Sequence, residues 1–305
     1  MSALQTELPT SWPELKLPHG LGKNFITAHT LARCAIFSTQ AWSRLSPRPK
    51  YPERKQLATT ETSGITVFQT AGEQLDQGDA DVFHELLRRV FVEGGNTRGE
   101  HHVRFNRGEF LRALGRARGG TTGERLDASL NRLYEARFEF DVPGLFKGKS
   151  SLILNIYSRE TDSTKDFDYD VLLDVSLARL FPKTQWTLLR RRERDKLIDP
   201  LAKGVHAYYS THKAPYPMKA ETLQNLMGRE SMQPSKWRIA LRTALEAVQK
   251  ATGWTRCALE YAENTRTWMV FVEKGVTAKT SSEAAKQKVD APADNAFADD
   301  PYDDI

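Results

Sequence analysis

The stretch from residue 219 to residue 272 constrains the fold more than any other part of the chain. Leu223, Leu226 and Met227 give residues 219–227 one apolar helical face, and Gly228 follows where the backbone has to turn. Pro234 then stands where a helix tolerates proline, in the first turn of a second helix predicted over 234–250. Trp237, Leu241, Leu245 and Val248 recur along it at helical spacing. Two short strands around 263–266 complete the unit. The order helix, turn, helix, hairpin predicts a winged helix-turn-helix. Lys236, Arg238 and Arg242 lie off the apolar stripe, with Arg238 and Arg242 one turn apart on a common face. Such a face suits a DNA major groove, and an ordinary solvated basic helix is the plainer reading.

The same order occurs earlier. Residues 65–68 read as a strand, 79–92 as a helix buried through Val82, Phe83, Leu86, Leu87 and Val90, and 103–105 as a brief strand. A helix over 107–114 ends at Gly115, residues 116–120 turn, and a second helix over 121–136 carries Leu126, Leu130, Leu133 and Tyr134. Thr121 and Thr122 are its candidate N-caps, with Glu124 completing a capping box. Segments 138–142 and 151–157 read as a hairpin, and its tip over 143–149 holds Lys147 and Lys149. Aligning Gly115 with Gly228 sets Phe110 against Leu223, Leu114 against Met227 and Leu126 against Ile239. The predicted fold class is α+β, with two tandem winged helix-turn-helix domains. The predicted boundaries are an N-terminal arm over 1–24, a first domain over 25–165, a second over 166–274 and a disordered acidic tail over 275–305.

Charge and composition narrow the function. The net charge is +5, yet residues 289–305 hold six aspartates and no lysine or arginine, so residues 1–288 carry +11. A basic body with an acidic tail points to a polyanionic partner. No apolar run approaches the roughly 20 residues that span a bilayer, and residues 1–12 lack a secretory layout. Two cysteines, Cys34 and Cys257, have no metal-ligand spacing, so neither a disulfide scaffold nor a metal site is expected, and the cytoplasm is the expected setting.

Elsewhere, Pro9, Pro13 and Pro18 interrupt the arm, a short helix is predicted over 26–39, and 43–63 reads as a loop. Residues 168–174 read as a strand, 177–181 as a helical turn and 200–209 as the first helix of the second domain. Arg190, Arg191, Arg192 and Arg194 form the densest positive cluster, open to two readings: phosphate binding, or ion pairing with Glu193 and Asp195. Strand-nicking chemistry would need two histidines flanking one apolar residue and a nucleophilic tyrosine. His101 and His102 are adjacent, so their side chains diverge on a strand, and Tyr208 and Tyr209 lie in an apolar helix. No phosphate-cradling glycine loop is present. The expectation is a non-enzymatic protein without cofactor.

Several stretches in order, LARCAIF (31–37), GEQL (72–75), FLRALG (110–115), ARLF (178–181), YYSTHKAPYPMKAETL (208–223) and KWR (236–238), resemble the TrfA family of plasmid replication initiators over about residues 25–260. The resemblance implies two winged-helix domains that bind repeated duplex origin sites, iterons, as monomers, with dimers as the inactive or inhibitory form; a transcriptional repressor is the alternative reading, because winged helices serve both roles. The resemblance also implies the host initiator DnaA, the replicative helicase and the sliding clamp as partners. Family members carry a clamp-binding motif before a Trp-Pro pair; here Gln5 and Leu8 keep their separation ahead of Trp12-Pro13, while the motif's other two anchors are missing. The candidate DNA-binding set is Thr121, Thr122, Arg125 and Arg132 on the first reading helix, and Ser235, Lys236, Arg238 and Arg242 on the second. Lys147, Lys149 and Arg266 join it at the wing tips. Arg238 and Arg242 are the expected guanine contacts, and Ser235 and Lys236 the expected phosphate contacts.

Overall fold

The computed structural model describes residues 22–275 apart from 44, 60–63, 94–95, 98–99, 118, 159–166 and 183. Gln5 and Leu8, most of the arm and the tail from residue 276 lie outside the described residues. β1 (Phe25–Ala28), α1 (His29–Ala32), β2 (Phe37–Ser38) and β3 (Lys55–Leu57) lead into β4 (Thr66–Ala71), β5 (Leu75–Asp76) and the long helix α2 (Gln77–Glu93). β6 (Asn96–Thr97) and β7 (Glu100–Phe105) precede α3 (Arg107–Ala113) and α4 (Gly120–Glu135). β8 (Arg137–Val142), β9 (Phe146–Ser151), β10 (Ile153–Ser158) and β11 (Tyr169–Leu173) follow. A 3-10 turn (Val175–Leu180), β12 (Trp186–Leu189) and α5 (Arg191–Arg194) connect to α6 (Pro200–Ser210). β13 (Met218–Lys219), α7 (Ala220–Leu226), α8 (Pro234–Thr252), β14 (Arg256–Ala262) and β15 (Thr267–Glu273) close the described chain.

Among the described residues two large apolar cores form, one from side chains between Ile26 and Phe181 and one from Leu197 to Val272, and Phe25, Leu189 and Ala207 make a small third cluster. The first holds two four-stranded sheets, β3-β4-β8-β9 and β10-β11-β7-β6, and the second a three-stranded sheet, β13-β15-β14. β11, expected to open the second domain, instead pairs antiparallel with both β7 and β10. Tyr169, Val171 and Leu173 thereby enter the first core, and Trp186 and Leu188 of β12 also pack against it, so the described residues over 169–188 lie with the first unit although 166 is the predicted start of the second.

Three other local expectations are corrected. The helix predicted over 26–39 is one turn, α1, between two strands, because β1 pairs with β12 and β2 with β5, partners that local periodicity does not reveal. The loop predicted over 43–63 contains β3, paired with β4. The hairpin partner of β8 is β9, not the strand over 151–157: Leu145 N–H donates to the Val142 carbonyl and closes a tight turn, and Phe146 returns onto Phe140. The latter segment, β10, turns into the other sheet.

The two helix–turn–helix elements share one backbone motif. Gly115 and Gly228 take φ of +66° and +65°, a left-handed conformation natural to glycine. In the first, Gly115 N–H donates to the Arg112 carbonyl and Arg116 N–H to Leu111; in the second, Gly228 donates to Asn225 and Arg229 to Gln224. Both are Schellman closures, and each bond maps onto its counterpart 113 positions later. Beyond the turn the register slips. Leu126, Leu130 and Leu133 are buried on α4, and Trp237, Leu241 and Ala244 on α8, pairs that stand 111 positions apart. The partner of Leu126 is therefore Trp237. Ile239, aligned with Leu126 on sequence, is 65% exposed.

α2 joins the units. Asp76 caps it, its carboxylate accepting from the Gly78 and Asp79 N–H groups at 2.7 and 3.0 Å. One face of α2 presents Asp79 to α4, where Arg132 donates from Nη2 at 2.7 Å. Another presents Asp81, which accepts from Arg194 Nε at 2.7 Å and Lys203 Nζ at 2.6 Å. Arg194 is 1% exposed and also donates to the Gln77 side chain and the Lys203 carbonyl. Burial alone would raise the Asp81 carboxyl; Arg194 and Lys203 outweigh it and hold it well below the usual carboxylate range. Nearby, the turn after α7 docks on β2: Thr39 N–H and Oγ1 each donate to the Met227 carbonyl at 2.9 Å, and Arg229 donates to Thr39.

Replacing Arg194 by methionine strands a buried carboxylate with one remaining cation and should cost about 3–5 kcal/mol. A carboxyl with a depressed pKa contributes its full stability above its unfolded value of about 4 and loses it as the pH falls. Arg194→Met should therefore flatten the acid limb: the stability gap between the two proteins should be full near neutral pH and narrow as the pH falls below about 4. Denaturant midpoints of both proteins between pH 3 and 7 test this; identical acid limbs would contradict the network.

Candidate nucleic-acid interface

The exposed face of α8 is built by what its other face buries. Trp237, Leu241, Ala244, Leu245 and Val248 pack inward, and Trp237 Nε1 donates to the Ala220 carbonyl at 2.9 Å, fixing α8 against the start of α7. The intervening turn is clamped by Gln224, whose amide donates to the Arg229 and Met232 carbonyls. Ser235, Lys236, Ile239, Arg242 and Thr243 then face solvent at intervals of three and four residues. Ser235 and Lys236 occupy the first turn, whose backbone N–H groups carry the positive end of the helix dipole.

Arg238 and Arg242 are one turn apart on α8 but differ in exposure. Arg242 is exposed, whereas Arg238 is partly buried with its guanidinium 5.5 Å from the centre of the Trp268 ring. Trp268 in turn meets Tyr261 edge-on at 5.6 Å across the β14–β15 hairpin. The hairpin loop, residues 263–266, projects Arg266, which is exposed with φ of +49°. Arg256 at the base is neutralised by Glu260 and Glu273.

On the first unit the candidate set divides. Arg125 is exposed and Thr122 partly so, and both line an open groove of about 800 Å³ with Arg116. Arg132 borders the same groove, but two of its nitrogens are spent on the fully buried Asp79, which also receives Arg48. It is therefore a packing residue and leaves the DNA-binding set. Thr121 and Thr122 do not cap α4: the helix starts one residue earlier, at Gly120 with Gly119 in the cap position, so both stand inside its first turn. Lys147 and Lys149 lie along β9, not in the turn; Lys147 pairs with Asp141 at 2.7 Å, and Lys149 is exposed opposite Glu139.

The arginine cluster is divided between surface and interior. Arg190 meets Glu193, Arg191 meets Glu85 and Asp195, and Arg194 is the buried partner of Asp81, while Arg192 is exposed. Ion pairing with Glu193 and Asp195 thus holds for Arg190 and Arg191, while Arg194 pairs with Asp81 instead. Tyr208 and Tyr209 are each 1% exposed, and burial pushes the Tyr208 hydroxyl up to about 12 and raises that of Tyr209 as well. His102 is held on Asp170 at 2.8 Å.

Three residues outside the sequence-derived set share these surfaces: Ile239 and Thr243 on α8, and Arg116 at the groove. For the first two the signal is present in the sequence. The apolar stripe at 237, 241, 245 and 248 places 239 and 243 on the far side of the helix.

Residues 22–259 match the family model described as TrfA protein. A plasmid replication initiator protein TrfA from Escherichia coli is 26% identical over 218 residues, covering 72% of this chain and 55% of that protein. The chain thus spans about half the length of that curated relative. Among solved structures, domains 2 and 3 of RctB align with a TM-score of 0.49 at 12% identity, covering 77% of this chain and 95% of that one. The Pi initiator protein in complex with iteron DNA aligns with a TM-score of 0.42 at 9% identity, covering 71% of this chain and all of that one. Because the family match takes in both helix–turn–helix units and the buried network that joins them, the chain belongs to the TrfA family of plasmid replication initiators.

Proposed function

We propose that this protein initiates plasmid replication by binding repeated duplex sites at the origin through two winged helix-turn-helix units. The observation that carries the proposal is the duplicated turn: two Schellman-closed helix pairs, each followed by a β-hairpin, in one family-matched chain. In each unit the second helix keeps an exposed face. α8 offers Arg242 toward base edges and Ser235 and Lys236 toward phosphates, and α4 offers Arg125. Arg266 and Lys149 flank these helices as backbone contacts. Binding, not bond cleavage, is the activity. Opening of the origin follows from strain imposed by several bound copies and from recruited host proteins. DnaA, the replicative helicase and the sliding clamp are the proposed partners, the clamp through Gln5 and Leu8, with a monomer–dimer equilibrium setting the active fraction. The proposed setting is the cytoplasm; among the described residues no helix is long and apolar enough to cross a membrane.

Footprinting on plasmid DNA beside the encoding gene should protect tandem direct repeats; protection of a single inverted repeat in the promoter would favour a repressor instead. Arg242→Ala should cost about 1–3 kcal/mol on the preferred sequence and relax preference at one base pair. Lys149→Ala should weaken all sequences alike and lower the salt slope by about one ion. Equal effects of both variants on every sequence would overturn the assignment. Arg132→Ala, by contrast, should lower unfolding stability by about 3 kcal/mol without altering base preference at temperatures where the variant is folded. A shifted preference would return Arg132 to the interface.

A further inference from the structure

α8 carries one large apolar side chain on its outward face. Ile239 is 65% exposed, while Leu241, Leu245 and Val248 on the same helix are buried. Single exposed aliphatics are common on protein surfaces; the position of this one is what matters. Ser235 and Lys236 lie one turn before it and Arg242 and Thr243 one turn after, all exposed, so Ile239 is flanked by polar and cationic groups in the N-terminal half of an outward row that runs on to Glu246. Arg238, which its spacing would also bring toward this side, is instead drawn over the Trp268 ring of the hairpin. The place next to Arg242 is thereby left to an aliphatic group.

Of the groups that base pairs present in the major groove, the apolar one is the thymine C5-methyl. We infer that Ile239 is a specificity residue that packs against a thymine methyl beside the base pair read by Arg242. The inference rests on α8 entering the groove, as proposed above. Three residues of helix rise about 4.5 Å and successive base pairs about 3.4 Å, so the thymine lies within about two base pairs of the Arg242 contact. The contact adds affinity by burying a methyl on both partners. It discriminates against cytosine, which lacks that methyl and places an amino donor at the neighbouring position.

The test uses the full chain and a duplex carrying one natural site, in which each thymine is exchanged singly for deoxyuridine. That exchange removes one methyl and keeps base pairing. Wild-type protein should lose about fourfold in affinity at one position, the equivalent of one buried methyl group. That position should fall within two base pairs of the one relaxed by Arg242→Ala. Ile239→Ala should bind the unmodified site about fourfold less tightly and be indifferent to deoxyuridine there, and Ile239→Val should keep part of the sensitivity. Thermal unfolding of both variants should match wild type, because the side chain is exposed. Wild-type indifference to every thymine-to-uracil exchange, with sequence preference retained, would overturn the role of Ile239 alone. Full methyl sensitivity in Ile239→Ala would do the same. Absence of any sequence preference in the wild-type chain would overturn the reading of α8 together with it.

Discussion

The relative placement of the two units depends on two aspartates of α2. Asp79 and Asp81 are two residues apart, so helical geometry turns their side chains about 200° from each other. Asp79 holds Arg132 of α4, and Asp81 holds Arg194 and, on α6, Lys203. One helix thus fixes the reading helix of its own unit on one side and the first helix of the other unit on the opposite side. An apolar contact at Asp81 would tolerate sliding. A guanidinium at 1% exposure, donating to Asp81, Gln77 and the Lys203 carbonyl, is satisfied in one arrangement, and any slip leaves charge buried without a partner. The cost of desolvating these groups is thereby exchanged for a defined angle between units. Close backbone packing reinforces it: a β-carbon added at Gly204 of α6 would lie 2.5 Å from the Thr39 methyl and 2.8 Å from the Met227 sulfur.

Within that frame the units are alike in backbone and unlike in surface. The turn bonds repeat at an interval of 113 residues, yet the buried stripes of α4 and α8 repeat at 111. At the stripe's interval, Lys236 stands for Arg125, Ile239 for Ala128 and Arg242 for Asn131. Both helices place a cation at the first of these positions and differ at the next two, so the chain does not present two copies of one surface.

Local chemistry explains what could be read before the fold was known. The helices α2, α3, α4, α6, α7 and α8 follow from apolar spacing, Pro234 and the two glycines, all signals within a few residues of their effect. β1 and β2 escape such reading because their pairing partners are remote in sequence, β1 meeting β12 about 160 residues away, whereas β3 lies close to its partner β4 and is missed because its Lys-Gln-Leu sequence is mostly polar. Arg132 and Arg194 look like surface cations in a linear chain, and only the fold brings Asp79 and Asp81 against them. Arg238 is similar: its spacing allies it with Arg242, and Trp268, thirty residues on, draws it away. Misassigned cations and misassigned strands share this cause, a partner distant in sequence whose interaction outweighs a local preference.

The same pairings separate stability from recognition. Arg48, Arg89, Arg132, Arg191 and Arg194 all bind carboxylates that are buried or nearly so, on Asp76, Asp79, Glu85 and Asp81. These cations belong to the body, and because their carboxylate partners are already counted in the +11 of residues 1–288, nearly all of that excess resides on other side chains. Arg125, Lys149, Lys236, Arg242 and Arg266 are exposed and free to exchange counterions for phosphates. Salt screens exposed charges over about 8 Å at physiological strength and reaches buried pairs far less. Raising ionic strength therefore weakens the exposed charges first, while the buried pairs that set the angle between units persist.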